Sequence, residues 1–100
     1  MIANDVREIE RKMAYGLICT VIAVQDHKKA GLNLQEGAKG TVTTAVVGEQ
    51  TGLYRVEVEW RPDRIGEYFG KIGGEISEID VKEYHLPEQK DPNQPDLFIS

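Results

Sequence analysis

The stretch Tyr54-Arg55-Val56-Glu57-Val58-Glu59-Trp60-Arg61 alternates strictly between apolar and charged residues. A period of two is the spacing at which side chains return to the same face of a β-strand. The pattern therefore predicts a strand whose apolar residues face a core and whose charged residues face water. The β-branched and aromatic residues on its apolar side also favour a strand.

Four further segments on either side of this stretch have strand-like composition: residues 17–25, 39–47, 68–72 and 75–81. A polar loop over residues 26–38 and three turns separate them, and the turns are built on Gly48–Gly52, Pro62-Asp63 and Gly73-Gly74. Five short strands with glycine-bearing turns predict a mainly β fold. We expect a small five-stranded antiparallel barrel, closed or half-closed.

The first residues predict a short amphipathic helix over 2–13. Four apolar residues recur at helical spacing and share one face: Ile2, Val6, Ile9 and Met13. We expect Asp5 and Glu8 to form a capping box at the start of the helix, and Glu8 to pair with Lys12 one turn later. An isolated helix of this length is marginal in water, so its apolar face must pack on the barrel or on a partner.

Composition bounds the compartment and the class of partner. The chain has 100 residues and a net charge of −5, which disfavours a domain that mainly neutralises phosphate backbones. Cys19 is the single cysteine and cannot form an internal disulfide, which is typical of a reducing compartment. The longest apolar run, residues 16–24, is shorter than the roughly 20 residues of a membrane span. We therefore expect a cytoplasmic protein with no membrane partner.

No group of residues has the spacing of a catalytic or metal site. His27 and His85 are far apart in sequence, and His27 lies in a polar loop, where we expect a solvated surface residue. Cys19 lies in an apolar run and is expected to be an inert core residue. Glu57 and Glu59 share a strand face but alternate with arginines, which is typical of a solvated face. The sequence predicts no enzyme and no cofactor.

A resemblance to SH3-like small β-barrels covers roughly residues 15–82. It rests on Gly37-x-Lys39-Gly40-Thr41-Val42 ahead of the V-x-V-x-W strand, on a first strand ending Val24-Gln25-Asp26, and on a last strand ending Ile79-Asp80-Val81. The chain looks most like uncharacterised small barrels of bacteriophage and mobile-element genomes, which carry the same G-x-K-G-T-V step. SH3-like barrels bind proline-rich peptides, nucleic acid or one another, so the resemblance leaves the ligand open.

The composition changes after Tyr84, where three prolines stand among polar residues: Pro87, Pro92 and Pro95. We divide the chain into an N-terminal helix (1–14), an SH3-like barrel (15–85) and a disordered proline-containing tail (86–100). The tail ends in an apolar cluster, Leu97-Phe98-Ile99.

Within the tail, Gln94-Pro95-Asp96-Leu97-Phe98 is similar to the pentapeptide by which bacterial replication and repair proteins bind the β sliding clamp. That motif reads Gln, any residue, Ser or Asp, Leu, Phe. The resemblance implies that Gln94 is a polar anchor and Asp96 a rim residue. It also implies that Leu97 and Phe98 fill an apolar pocket of the clamp.

Three hypotheses of function follow. The first is an adaptor or regulator that the tail tethers to a sliding clamp. The second is a barrel that forms homo-oligomers or binds another protein, with a structural tail. The third is a weak nucleic-acid-binding barrel. Its small positive face would come from Lys28, Lys29 and Lys39, or from Arg55, Arg61 and Arg64, and the net charge makes direct nucleic-acid binding the least expected.

Overall fold

The computed structural model describes residues 1–29 and 31–83. They form one helix, α1 (Ala3–Ala14), and five strands: β1 (Cys19–Ala23), β2 (Lys39–Gly48), β3 (Leu53–Arg61), β4 (Arg64–Lys71) and β5 (Ile79–Glu83). The strands form a single sheet in the order β4-β3-β2-β1-β5, and every neighbouring pair is antiparallel. The predicted mainly β class, with five antiparallel strands and a short N-terminal helix, is confirmed. The predicted tail lies outside the described residues.

The sheet is not closed. β4 and β5 are its two edges, and no pairing joins them within the described residues. The closed form of the predicted barrel is therefore wrong. The helix supplies the physical reason, because α1 packs mainly on β2 and buries Val6 and Ile9 against the apolar side of the sheet. It covers core that the sheet would otherwise have to enclose by itself. No helix within the described residues is long and apolar enough to cross a membrane.

The alternating stretch forms β3, which lies between β4 and β2 in the sheet. Its four apolar residues are buried at 7% exposure or less: Tyr54, Val56, Val58 and Trp60. Three inward-facing glycines on the neighbouring strands leave room for these rings: Gly40, Gly66 and Gly70. The prediction that the apolar side of this stretch faces the core is confirmed.

The bounds of three strands differ from those predicted. Leu17 closes the turn that follows α1, since its N–H donates to Lys12 O at 3.1 Å, and β1 is therefore shorter than residues 17–25. Pro62-Asp63 forms a two-residue turn with Asp63 at φ 67°, so β4 begins at once at Arg64. β5 begins only at Ile79 because Glu75 and Ile76 pair with Ile2 and Met1 at the start of the chain.

The N-terminus is tied to the segment before β5. The α-ammonium of Met1 donates to the carbonyl oxygens of Ile76 and Ile79, each at 3.0 Å, and the N–H of Ile76 donates back to Met1 O at 2.8 Å. Ile2 forms an isolated antiparallel bridge with Glu75. These bonds place the start of α1 beside the last strand.

The capping and pairing expected on the helix are wrong in detail. Asp5 is not the N-cap residue, which is Ile2, but the N3 residue of the capping box. It is the third helical residue, and its carboxylate accepts the N–H of Ile2 at 2.8 Å. Glu8 pairs with Arg11 at 3.0 Å, whereas Lys12 pairs with Glu83 of β5. Tertiary packing brings Glu83 within reach of Lys12, and a partly buried partner holds the ammonium better than an exposed one. Ile2 is also exposed, so the buried face of α1 is narrower than its sequence pattern.

Candidate functional site

Three exposed apolar side chains lie around Arg55 on the solvent face of the sheet. Arg55 of β3 lies directly opposite Val46 of β2 on one side and Phe69 of β4 on the other. Leu53 lies two residues before Arg55 on the same face. Val46, Leu53 and Phe69 are exposed by 46%, 46% and 61% of their surface. We call these three residues the sheet-face patch. They border a shallow pocket of about 230 Å³.

The local sequence explains why these residues face water. Tyr68 and Phe69 are adjacent in one strand, and a strand sends adjacent side chains to opposite faces. Tyr68 is buried in the core, so Phe69 must be exposed. Val46 and Val47 divide in the same way, with Val46 exposed and Val47 half-buried. Two adjacent apolar residues in a strand indicate that one of them is exposed. Only the strand register shows that the exposed residues of the two pairs, Val46 and Phe69, lie on the same part of the sheet.

An ion-pair cluster of one guanidinium and two carboxylates adjoins the patch. The guanidinium of Arg55 donates to Glu67 at 2.6 Å and also to Glu57, which in turn accepts the hydroxyl of Thr44 at 3.2 Å. The hydrogen bond from Arg55 holds the pKa of Glu67 below its ordinary value, and Glu67 in turn raises the pKa of Arg55. Because its charge is matched by two carboxylates, Arg55 does not contribute to the positive face considered for nucleic acid.

The structure overturns the expectation for His27. This side chain is only 4% exposed, and its ring centroid lies 5.9 Å from those of Trp60 and Tyr68. The reason is the path of the loop after β1. His27 and Leu34 exchange two backbone hydrogen bonds of 2.8 Å, which fold the loop back onto the open end of the sheet. The polar neighbours of His27 in the sequence therefore indicated a surface position, although the side chain packs in the core.

The polar atoms of His27 are unequally satisfied. Nδ1 lies 3.0 Å from the carbonyl oxygen of Gln25, and this contact requires the proton on Nδ1. Among the described residues Nε2 has no hydrogen-bond partner although it is buried, and Oε2 of Glu78 lies 3.8 Å away. Lys29 stands 4.0 Å from the same carboxylate and 5.0 Å from the centre of the Tyr68 ring. His27 therefore packs in the core with Trp60 and Tyr68. The charged pair of Lys29 and Glu78 lies at the edge of this group.

A second pocket, of about 300 Å³, lies between the start of α1 and the turn after β4. Ile2, Arg7 and Ile72 are among its lining residues. Arg7 is already engaged there, because its guanidinium donates to Glu49 at 3.0 Å and to Asn4 at 2.6 Å. A ligand in this pocket would therefore contact the apolar side chains of Ile2 and Ile72, because the guanidinium of Arg7 is already paired.

The remaining residues singled out in the sequence have plain positions. Cys19 is buried, as predicted, and burial raises the pKa of its thiol. Within residues 1–29 and 31–83, no three His, Cys, Asp or Glu side chains come together to form a group that could hold a metal ion. The predicted clamp-binding residues Gln94, Asp96, Leu97 and Phe98 lie outside the described residues.

No protein-family model, no curated protein and no solved structure matches this chain. The resemblance to SH3-like barrels of bacteriophages and mobile elements, and that of the tail to a sliding-clamp motif, stay predictions.

Proposed function

We propose that this chain is a non-catalytic protein-interaction module, an adaptor or regulator. The observation that carries the proposal is the sheet-face patch. Val46, Leu53 and Phe69 are contributed by three adjoining strands and expose their apolar surface together. Burying each such side chain against a partner contributes about 1.5–3 kcal/mol. A cluster of this kind is typical of a protein-binding surface, whereas single exposed apolar residues are common everywhere.

The tail gives the proposed module a specific tether. Gln94, Asp96, Leu97 and Phe98 match all four defined positions of the β sliding clamp motif. A linear motif that buries one leucine and one phenylalanine binds weakly, on the order of micromolar, because ordering the peptide offsets part of the gain. Pro92 and Pro95 restrict the unbound segment and lower that ordering cost. A tether would raise the local concentration of the module at the clamp without a basic surface.

The location belongs to the same proposal. A clamp-binding adaptor acts in the cytoplasm of a bacterium, where the replication machinery lies, and a bacteriophage or mobile element would use it there. The single cysteine, Cys19, agrees with that reducing compartment.

Titration against a bacterial sliding clamp tests the tether. We expect the full chain to bind and a Leu97→Ala, Phe98→Ala double variant to lose binding. A Leu53→Ala, Phe69→Ala double variant is the matched control, because it removes the same residue types from the sheet-face patch and leaves the tail intact. It should bind the clamp as the wild type does. Absence of clamp binding by the wild type would remove the tether from the proposal.

A further inference from the structure

β4 is an edge strand with an open hydrogen-bonding side. It is eight residues long, contains no proline and, within residues 1–29 and 31–83, has a neighbouring strand on one side only, β3. Its charged residues are Arg64, Glu67 and Lys71. Long edge strands are templates for pairing with another strand unless charge, proline or a covering segment blocks them. Here the centre of the strand carries two aromatic residues and one carboxylate.

The backbone register shows which residues of β4 face the open side. Ile72 N–H donates to Gly52 O, on the β3 side, at 2.8 Å. Backbone groups of successive residues in a strand point to opposite sides, so every second residue from Ile72 also points to β3. The alternate residues direct their N–H and C=O groups away from β3: Ile65, Glu67, Phe69 and Lys71. The same four residues carry their side chains on the solvent face of the sheet.

The charges of this strand are self-complementary about one residue. Glu67 and Lys71 stand two positions before and two positions after Phe69. If a second copy pairs antiparallel with a two-fold axis at Phe69, the two Phe69 rings meet, and each Glu67 stands opposite a Lys71. An axis at Glu67 instead sets two carboxylates against each other. An axis at Tyr68 sets Glu67 against Phe69 and Lys71 against Ile65. Among these axes, only the one at Phe69 sets opposite charges of β4 itself against each other.

We propose that two copies of this chain associate through β4, in antiparallel register centred on Phe69, so that their sheets become continuous. This deepens the proposed function, on which it rests, by naming a second copy as a partner of the sheet-face patch. The two patches adjoin across the two-fold axis. Leu53 and Val46 remain exposed to solvent beside this axis. Each Glu67 keeps one carboxylate oxygen on Arg55 and presents the other to Lys71 of the second copy.

The test is sedimentation of the full chain over a concentration series of about 5 to 500 μM. We expect a concentration-dependent monomer–dimer equilibrium for the wild type. Lys71→Glu places two like-charged pairs across the ladder and should weaken the dimer about tenfold or more. Adding Glu67→Lys to that variant restores opposite charges and should restore the dimer. Lys82→Glu is the matched control, because it makes the same change of charge at an exposed position of β5 and should leave the dimer unchanged.

A second measurement reads the ladder itself. The N–H of Phe69 faces the open side of β4, and its hydrogen exchange should slow as the protein concentration rises. The N–H of Tyr68 points to β3. Its exchange rate should depend much less on the protein concentration.

Several outcomes would overturn the proposal. They are a wild type that stays monomeric throughout, a Lys71→Glu variant that associates as the wild type does, or a charge-swapped variant that stays as weak as Lys71→Glu. Loss of self-association in the Leu97→Ala, Phe98→Ala variant would assign the contact to the tail and would also overturn it. None of these outcomes affects the clamp titration, so failure of the dimer and failure of the tether are distinguishable.

Discussion

The indole N–H of Trp60 donates a 2.8 Å hydrogen bond to the phenolic oxygen of Tyr68 in the core. The bond joins β3 to β4 beside the ring of His27, and Gly66 leaves the room for it. A Cβ at position 66 would lie 2.7 Å from that oxygen. A polar pair is therefore built into the apolar side of the sheet, and it is satisfied internally.

Tyr68→Phe should destabilise the protein by about 1–3 kcal/mol, because it leaves the Trp60 N–H buried without an acceptor. Denaturant unfolding measures the loss. Tyr15→Phe, at an exposed position, is the matched control and should change stability by less than about 0.5 kcal/mol. Equal stability of Tyr68→Phe and the wild type would show that water satisfies the indole.

Alkaline pH should unfold the protein through its buried tyrosines. Burial raises the pKa of both Tyr54 and Tyr68 above the ordinary value of 10.0. The folded state therefore holds these phenol protons more tightly than the unfolded state. The stabilisation is complete below the unfolded pKa and is lost as pH rises through the folded pKa.

The measurement is the free energy of unfolding between about pH 9 and pH 12. Its decline should be shallower in Tyr68→Phe than in the wild type. An identical slope in both proteins would contradict the argument.

Gly70→Ala should destabilise the fold by about 1–3 kcal/mol, because an added methyl group would overlap the ring of Tyr54. Thermal unfolding measures the change. Thr41→Ala, at an exposed position of β2, is the control and should have little effect. A melting temperature unchanged by Gly70→Ala would mean that the Tyr54 ring shifts at no cost.

Lys12→Gln should lower stability by about 1 kcal/mol, since it leaves the partly buried Glu83 carboxylate without its cation. The Glu83 hydrogen bond also raises the pKa of Lys12, so the contribution of the pair is complete below the ordinary value of 10.5 and is lost at higher pH. Lys82→Gln, on the same strand as Glu83, is the control. Additive effects in a Lys12→Gln, Glu83→Gln double variant would argue against a coupled pair.

Cys19 should resist thiol reagents in the folded protein. Its side chain is buried, and burial raises the pKa of the thiol, so the reactive thiolate is scarce and covered. A coloured disulfide reagent should label the native protein much more slowly than the protein in denaturant. Labelling at the same rate in both would show that β1 opens readily.

Local pattern was enough to predict the elements with a clear period. The alternation from Tyr54 to Trp60 predicted β3 and its buried face. The helical spacing of Val6 and Ile9 predicted the face that α1 buries. Both patterns are properties of neighbouring residues in the chain, and each element keeps them wherever it packs.

Bounds and contacts set by distant parts of the chain were not predictable in this way. The late start of β5 depends on bonds between Ile76 and Met1. The partner of Lys12 depends on where the fold places Glu83. His27 shows the same limit, because its polar neighbours indicated a surface position that the folding of the loop reverses.

The sequence by itself determined the class of the fold, the apolar side of β3 and the apolar face of α1, because backbone periodicity follows from local sterics. The sequence also determined the tail motif at Gln94–Phe98, which is a linear pattern. Only the tertiary structure decided that Val46, Leu53 and Phe69 share one patch, because strand register joins positions that are far apart in the chain. The open edge of β4 was decided there as well, since strand order is a property of the whole sheet.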